Sequence, residues 1–178
     1  MRLELACGKD PMRESMQYVR VDTQNCVATN AHIMAVYPTS AIFDPEFIAA
    51  LAERELPIFI FRDDWKVLAS ATSVSWQSED IIEVRKGKAR PKFLKATKGL
   101  AYPVWEQVIP EHYDDVEAAA VYVDAKHLSN LQGALGVSAI RMVLKGAARA
   151  IMCYPYDSKH TENVGQKGLI MPMSAPKQ

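Results

Sequence analysis

Apolar and polar residues alternate along residues 17–37, with short polar runs that favour turns. This pattern is typical of short antiparallel strands, and it shows no helical period. The pattern changes at Asp44, a suitable N-cap, which is followed by Pro45 at the first helical position. Apolar residues then recur at helical spacing until Pro57 closes the segment. The sequence therefore predicts strands over residues 17–37 and one amphipathic helix over residues 45–55.

The rest of the chain carries one pattern twice. A short apolar run, at residues 57–61 and again at residues 119–123, precedes an acid that can cap a helix, Asp63 or Asp124. Three further strand candidates follow each helix. The two acids are 61 residues apart, and other equivalent positions are separated by 60 to 62 residues. This spacing favours a duplicated strand-helix-strand-strand-strand module, although an α+β chain without duplication can give the same order of elements. The predicted fold class is α+β with antiparallel sheets.

These patterns divide the chain into four parts. Residues 1–43 are a helix-poor β module, residues 44–56 an inserted helix, and residues 57–117 and 118–178 the two repeated modules. With 178 residues, of which 49% are hydrophobic and 24% charged, the chain can bury a core. We expect the four parts to form one compact unit.

Composition limits the class of function. Lys and Arg number 21, and Asp and Glu also number 21, so the formal net charge is +0. This balance excludes a protein that holds nucleic acid by bulk charge. Cys7, Cys26 and Cys153 are far apart and form neither a disulfide framework nor a zinc-ligand spacing. Because the sequence also shows no signal peptide and no apolar run of membrane-span length, it predicts a soluble protein of the reducing cytoplasm.

Charge is nevertheless segregated along the chain. Seven basic residues and no acid lie between Val84 and Trp105, whereas five acids and no Lys or Arg lie between Glu106 and Glu117. A basic hairpin is typical of contact with phosphates, because Lys and Arg that bind phosphates release condensed counterions. The alternative is a solvated hairpin whose lysines blunt an edge strand. The sequence leaves both interpretations open.

Catalytic motifs are missing from the sequence. It contains no P-loop and no GxGxxG, GxSxG or HExxH motif. Cys153 and His160 are seven residues apart and lack a third partner for a metal site or a catalytic pair. The sequence therefore predicts no catalysis, no metal and no cofactor. The alternative is a small enzyme built around Cys153 or around one of the acid pairs, Asp63-Asp64 and Asp114-Asp115.

Two segments carry distinctive motifs. Residues 99–110, GLAYPVWEQVIP, contain a glycine, a Tyr-Pro pair, an aromatic residue two positions after that proline and a final Val-Ile-Pro. Residues 168–173, GLIMPM, place two aliphatic residues before Met-Pro-Met. Both segments resemble the bacterial sliding clamp, the beta subunit of DNA polymerase III, whose terminal strand has the same Met-Pro-Met.

Further segments extend the resemblance in the order that the family has. Residues 27–35, VATNAHIMA, resemble the clamp's A-T-D-G-H-R-L-A turn. Arg13 with Met16 lies where the family has R-x-x-L, and residues 121–155 resemble the last module of the clamp. The resemblance therefore covers most of the chain.

The departures from the family pattern indicate a shortened clamp. Asn30 and Ala31 replace Asp-Gly, so the glycine that permits a left-handed backbone is missing from this turn. A whole module expected between Pro110 and Val121 is absent, and residues 44–56 look inserted.

The resemblance implies a binding function. In sliding clamps, helices line the inside of a ring and contact duplex DNA through its phosphates, and a hydrophobic pocket takes a short linear motif of replication proteins. By position, the pocket residues here are Arg13, Met16, Thr29, Ala31, His32, Met34, Pro110, Leu169, Ile170, Met171, Pro172 and Met173. The residues for DNA contact are Lys66, Arg85, Lys86, Lys88, Arg90, Lys92 and Lys126. Methionines suit such a pocket because they are unbranched and polarizable, although the same residues can simply fill a core.

The sequence thus predicts a sliding-clamp-like accessory (processivity) protein of DNA replication. We expect a homo-oligomeric ring that binds duplex DNA non-specifically. Its protein partners would be the polymerase, the clamp loader or other proteins with a clamp-binding linear motif, with no membrane partner. The alternative is a non-ring adaptor or decoy that binds such peptides without encircling DNA.

Overall fold

Ten strands and three α-helices make up the regular structure of the part of the chain that is described. The structure, a computed structural model, describes residues 1–55, 57–109, 121–144, 149–156 and 165–173. The strands are β1 (Tyr18–Val21), β2 (Asn25–Thr29), β3 (Ile33–Pro38), β4 (Ile58–Phe61), β5 (Ser73–Trp76), β6 (Ile81–Arg85), β7 (Lys92–Thr97), β8 (Ala139–Val143), β9 (Ile151–Tyr156) and β10 (Lys167–Ile170). The α-helices are α1 (Pro45–Ala52), α2 (Arg62–Leu68) and α3 (Ala125–Leu135), and 3-10 turns cover Leu3–Leu5, Pro11–Gln17, Thr39–Ala41 and Trp105–Val108.

The strands form one antiparallel sheet in the order β5-β6-β7-β4-β1-β2-β3-β10-β9-β8. The predicted α+β class with antiparallel strands is therefore confirmed. The strands predicted over residues 17–37 are β1, β2 and β3, and they lie at the centre of the sheet. Strand β10 joins the sheet beside β3, where Leu169 pairs with Met34. The last described strand thus pairs with the third strand of the chain.

The predicted repeat of elements is visible on both sides of this centre. On one side the order is β4, α2, β5, β6 and β7. On the other side, Tyr122 lies just before α3 and forms an isolated β-bridge with Met173. The elements α3, β8, β9 and β10 follow Tyr122 in the chain. Residues 119 and 120, part of the strand predicted there, lie outside the described residues. The division of the chain into four ranges stays a prediction.

The main core lies on one face of the sheet, here called the helix face. It includes Ile33 and Ile170 from the central strands, Trp65 from α2 and Leu131 from α3, all of them buried. A Cβ on Gly168 would lie 2.7 Å from the Leu131 side chain. Glycine therefore allows α3 to pack closely on β10.

A second, smaller core lies on the opposite face, here called the groove face. Because strand side chains alternate between faces, the neighbours of the main-core residues point here, among them Met34, Met152 and Leu169. The segment 99–109 crosses this face and buries Trp105 against them. Among the described residues, the sheet thus carries α-helices on one face and the segment 99–109, with its 3-10 turn, on the other.

Two details of the predicted helices differ from the structure. Helix α1 begins as predicted, since the Asp44 carboxylate accepts a hydrogen bond from the Phe47 amide at 2.8 Å, but it ends at Ala52. Shortly after it, the Arg54 guanidinium lies over the Trp76 ring, 3.8 Å from its centroid.

The second difference is that Asp63 does not cap α2, so that prediction was wrong. The chain passes directly from β4 into α2, and the N-cap position is Phe61, whose side chain has no hydrogen-bonding atom. Asp63 instead pairs with Lys66 at 2.6 Å. Asp124 does cap α3, because its carboxylate accepts from the amides of Lys126 and His127.

Candidate functional site

An apolar groove opens on the groove face, where segments far apart in the sequence meet. Its volume is about 190 Å³. The lining residues come from the 3-10 turn before β1, from the β2–β3 turn, from the segment 99–109 and from the end of β10. They are Met16, Thr29, Ala31, His32, Ile33, Met34, Pro103, Trp105, Val108, Leu169 and Met171.

The β2–β3 turn forms one wall of the groove and is held by its own polar side chains. The Asn30 side-chain oxygen accepts hydrogen bonds from the amides of His32 and Ile33, both at 2.9 Å. The Thr29 hydroxyl donates to the Ile33 carbonyl and accepts from the Ala31 amide. Ala31 lies at φ 73°, in the left-handed region that glycine occupies more easily. The turn therefore adopts a left-handed backbone at residue 31 although it has no glycine there.

The end of β10 forms the floor and the opposite rim. Leu169 pairs with Met34 across the two strands, and both side chains are buried. The Met171 amide donates to the His32 carbonyl at 2.8 Å, which continues the pairing beyond the strand. The Met171 side chain is 43% exposed. A flexible apolar side chain is thus presented to solvent at the mouth of the groove.

The segment 99–109 closes the third side. The Tyr102 hydroxyl donates to the Val27 carbonyl at 3.2 Å, which fixes the segment to β2. Burial raises the pKa of this phenol well above its usual range, so Tyr102 stays a neutral donor. The Trp105 indole lies under the groove with its Nε1 buried, and that atom has no hydrogen-bond partner among the described residues.

His32 links the groove to the helix face. Its ring stacks on that of His127, the third residue of α3, with centroids 4.9 Å apart. The Nδ1 atom of His127 is buried and has no hydrogen-bond partner in the described part of the chain. The stack connects the β2–β3 turn to the start of α3.

The structure brings together seven of the residues predicted for a pocket. Met16, Thr29, Ala31, His32, Met34, Leu169 and Met171 all line the groove. Four residues were missed, namely Ile33, Pro103, Trp105 and Val108. Three of these belong to the motif of residues 99–110, so the signal was present in the sequence.

Four predicted pocket residues lie elsewhere. Ile170 points into the main core on the helix face, because it follows Leu169 in a strand whose side chains alternate. Arg13 is exposed in the 3-10 turn Pro11–Gln17, away from the lining. Pro172 and Met173 lie beyond the groove, where Met173 pairs with Tyr122. Pro110 lies outside the described residues.

The basic residues predicted for DNA contact fall into two groups. Lys66, Arg85, Lys86, Arg90 and Lys92 line a second cavity, here called the basic cleft, between α2 and the turn that joins β6 to β7. Lys88 is exposed in that same turn but does not line the cleft, and Lys126 is exposed on α3.

The structure does not support the catalytic alternative at the residues it describes. Cys7, Cys26 and Cys153 are buried, and burial raises the pKa of each thiol to about 12, so none is a thiolate at neutral pH. Within the described ranges, no three His, Cys, Asp or Glu side chains are grouped to hold a metal ion. His160 and Asp114-Asp115 lie outside those ranges. None of the described helices is long and apolar enough to cross a membrane.

The comparisons with known proteins agree with this architecture. No protein-family model and no curated protein sequence matches the chain. Among solved structures, the DNA polymerase III subunit beta from Pseudomonas aeruginosa is similar, with a TM-score of 0.64 at 14% identity over 98% of this chain and 64% of that chain. The fold is that of a bacterial sliding clamp.

Other sliding clamps give the same result. The DNA polymerase sliding clamp from Bacillus subtilis has a TM-score of 0.63 at 14% identity and covers 98% of this chain and 60% of its own. A Pseudomonas aeruginosa sliding clamp bound to griselimycin has a TM-score of 0.64 at 13% identity, over 97% and 61%. The chain therefore spans less than two thirds of the length of these clamps. The resemblance seen in the motifs is confirmed at the level of the clamp fold.

Proposed function

We propose that the protein is a sliding-clamp-like accessory protein of DNA replication, which holds partner proteins in the groove and contacts DNA with its helix face. It has no catalytic step of its own. The observation that carries this proposal is the groove, where Met16, Met34 and Met171 meet although they are distant in the sequence. A similar clamp is known with griselimycin bound, which supports a ligand site on this fold.

The groove suits the apolar side chains of a short peptide. Its volume of about 190 Å³ lies below the range of sites that enclose a whole drug-sized ligand. Each apolar side chain buried there contributes about 1.5–3 kcal/mol before the entropic cost of binding. Two such side chains contribute about 3–6 kcal/mol, which corresponds to an affinity of about tens of micromolar at best and suits partners that exchange. The methionines adapt the groove to partners of different shape.

Peptide binding is tested by a pair of methionine variants. A fluorescent peptide with a clamp-binding linear motif is titrated with the wild-type protein and with Met171→Glu, and its anisotropy is measured. We expect at least a tenfold loss of affinity, because Met171 lines the groove and a carboxylate there would lose its hydration.

The matched control is Met173→Glu. Met173 is two residues further on and 55% exposed, but it lies outside the groove, so its variant should bind the peptide normally. Equal effects of the two variants, or unchanged affinity in Met171→Glu, would contradict the groove as the binding site.

Contact with DNA is the second part of the proposal. The helix face carries Lys66 on α2 and Lys126 on α3, and both helices pack beside the Leu3–Leu5 turn on the same side of the sheet. We propose that copies of the chain assemble with this face inward around duplex DNA. Light scattering and retention on circular but not linear DNA test the assembly. A strict monomer that never remains on circles would remove the encircling part and leave the groove function.

A further inference from the structure

The basic cleft brings five cations to one cavity of about 290 Å³. Helix α2 contributes Lys66, strand β6 ends at Arg85, and the turn and the start of β7 add Lys86, Arg90 and Lys92. The cavity lies on the helix face, because Val84 belongs to the main core and also lines the cleft. The cleft therefore opens on the side of the sheet that carries the helices.

Only part of this charge is balanced within the described residues. Lys66 pairs with Asp63, and Arg85 pairs with Glu83. Lys86, Arg90 and Lys92 have no carboxylate at ion-pair distance in the described ranges. Like charges held together repel each other. An anionic ligand would relieve this repulsion.

The sheet topology limits the alternative explanation for the basic hairpin to part of β7. Strands β6 and β7 lie inside the sheet, and the edge on this side is β5. Strand β5 spans Ser73–Trp76 and has no Lys or Arg. The turn residues Lys86 and Arg90 therefore do not blunt a sheet edge. Lys92 and Lys95 lie on the part of β7 that pairs with β6 alone, because the pairing of β7 with β4 is seen only at Ala96 and Thr97.

The floor of the cleft is apolar, which narrows the chemistry of the ligand. Val67 and Ala71 lie on the α2 side, and Val84 and Ala89 on the hairpin side. A free phosphate ion would satisfy the basic rim and leave this floor uncovered. The backbone of a nucleic-acid strand offers both parts, since phosphates alternate with the carbon-rich faces of sugars.

We propose that the basic cleft is a discrete site for the phosphate backbone of DNA, with phosphates against the basic rim and a sugar on the apolar floor. The inference rests on the proposed function for its choice of DNA, and it deepens that proposal. It separates the cleft residues from Lys88 and Lys126, which also carry positive charge on exposed surfaces. At a discrete site the cleft cations contribute more to DNA affinity than other exposed cations do. On a diffuse positive surface, every exposed cation would contribute equally to DNA affinity.

The test compares two variants of one hairpin. Arg90→Gln combined with Lys92→Gln removes two cleft charges, and Lys88→Gln combined with Lys95→Gln removes two exposed charges that do not line the cleft. Anisotropy of a labelled 30-base-pair duplex is measured with each protein between 20 and 150 mM salt. We expect the slope of log affinity against log salt to be shallower by about 2 in the cleft variant and nearly unchanged in the control.

The outcomes separate this inference from the proposed function. Equal loss in both variants, or no DNA binding by the wild type at low salt, overturns the discrete site. An oligo-glutamate peptide that competes with DNA and is equally sensitive to the cleft variant also overturns it, because the site would then take acidic protein. The groove peptide is titrated with the same proteins. If the groove peptide binds but the DNA titrations contradict the discrete site, only the inference about the basic cleft is wrong and the proposed groove function stands.

Discussion

Ala31 occupies a backbone conformation that its side chain disfavours. At φ 73° the Cβ of an L-residue lies close to the following carbonyl, which costs about 1–2 kcal/mol. The side-chain oxygens of Asn30 and Thr29 accept hydrogen bonds from backbone amides and hold the turn in this shape, so the strain persists in the folded state.

Ala31→Gly should therefore stabilise the protein by about 0.5–1 kcal/mol, the relief of strain less the entropy that glycine adds to the unfolded chain. Urea unfolding measures the change. Ala89→Gly is the matched control, because Ala89 lies in an exposed turn without a positive φ, and we expect no gain there. A loss of stability in Ala31→Gly would show that the turn does not store this strain.

The helix starts differ in how they are stabilised, although each has an acid nearby. Asp44 caps α1 through a hydrogen bond to the Phe47 amide, whereas Asp63 lies inside α2 and pairs with an exposed lysine. Asp44→Ala should cost about 1 kcal/mol of unfolding free energy. Asp63→Ala should cost much less, since exposed ion pairs contribute little. Thermal unfolding of the two variants decides the matter, and equal losses would contradict the assignment.

The same contrast explains which elements the sequence could predict. Asp44 and Asp124 have an extended backbone and occupy the N-cap position, so the capping pattern correctly identifies the start of α1 and α3. Asp63 has the same local pattern, but β4 continues to Phe61 and leaves no room for a cap before α2. The difference arises from where the strand ends, which is set by its pairing with β1 and β7. Local sequence does not contain that information.

The groove shows the limit of prediction from motifs. Motif order brought Met34 and Leu169 into one predicted pocket although they are 135 residues apart, and the structure pairs them. The same motif also included Ile170, which points to the other face. Because side chains alternate along a strand, Leu169 and Ile170 cannot both face the pocket. Alternation alone does not say which of the two faces it, because the sequence does not show which face of the sheet carries the pocket. That depends on the path of the segment 99–109 across the sheet.

At the scale of the whole molecule, the two candidate surfaces are separate. The groove opens at β3 and β10 and the basic cleft at β6 and β7, on opposite faces of the sheet. Strands β6 and β3 are five strand spacings apart, about 24 Å. The two proposed ligands, a peptide in the groove and DNA in the basic cleft, would therefore not compete for one surface.

This separation predicts additive effects. A protein with Met171→Glu and the two cleft substitutions should bind the peptide as Met171→Glu does and bind DNA as the cleft variant does, with a coupling below about 0.5 kcal/mol. Anisotropy titrations of both ligands against all three proteins measure this. A change of DNA affinity in Met171→Glu alone would show that the two faces communicate.

The pairing of β10 with β3 has a consequence for synthesis. The groove needs Met16 and the β2–β3 turn from the early part of the chain and Leu169 and Met171 from the late part. During translation the early strands emerge first. The side of β3 that pairs with β10, including Met34, stays without its partner strand until residue 171 has left the ribosome. A chain that stops before β10 therefore lacks Leu169 and Met171 and cannot form the groove, so we expect peptide binding only in copies made through β10.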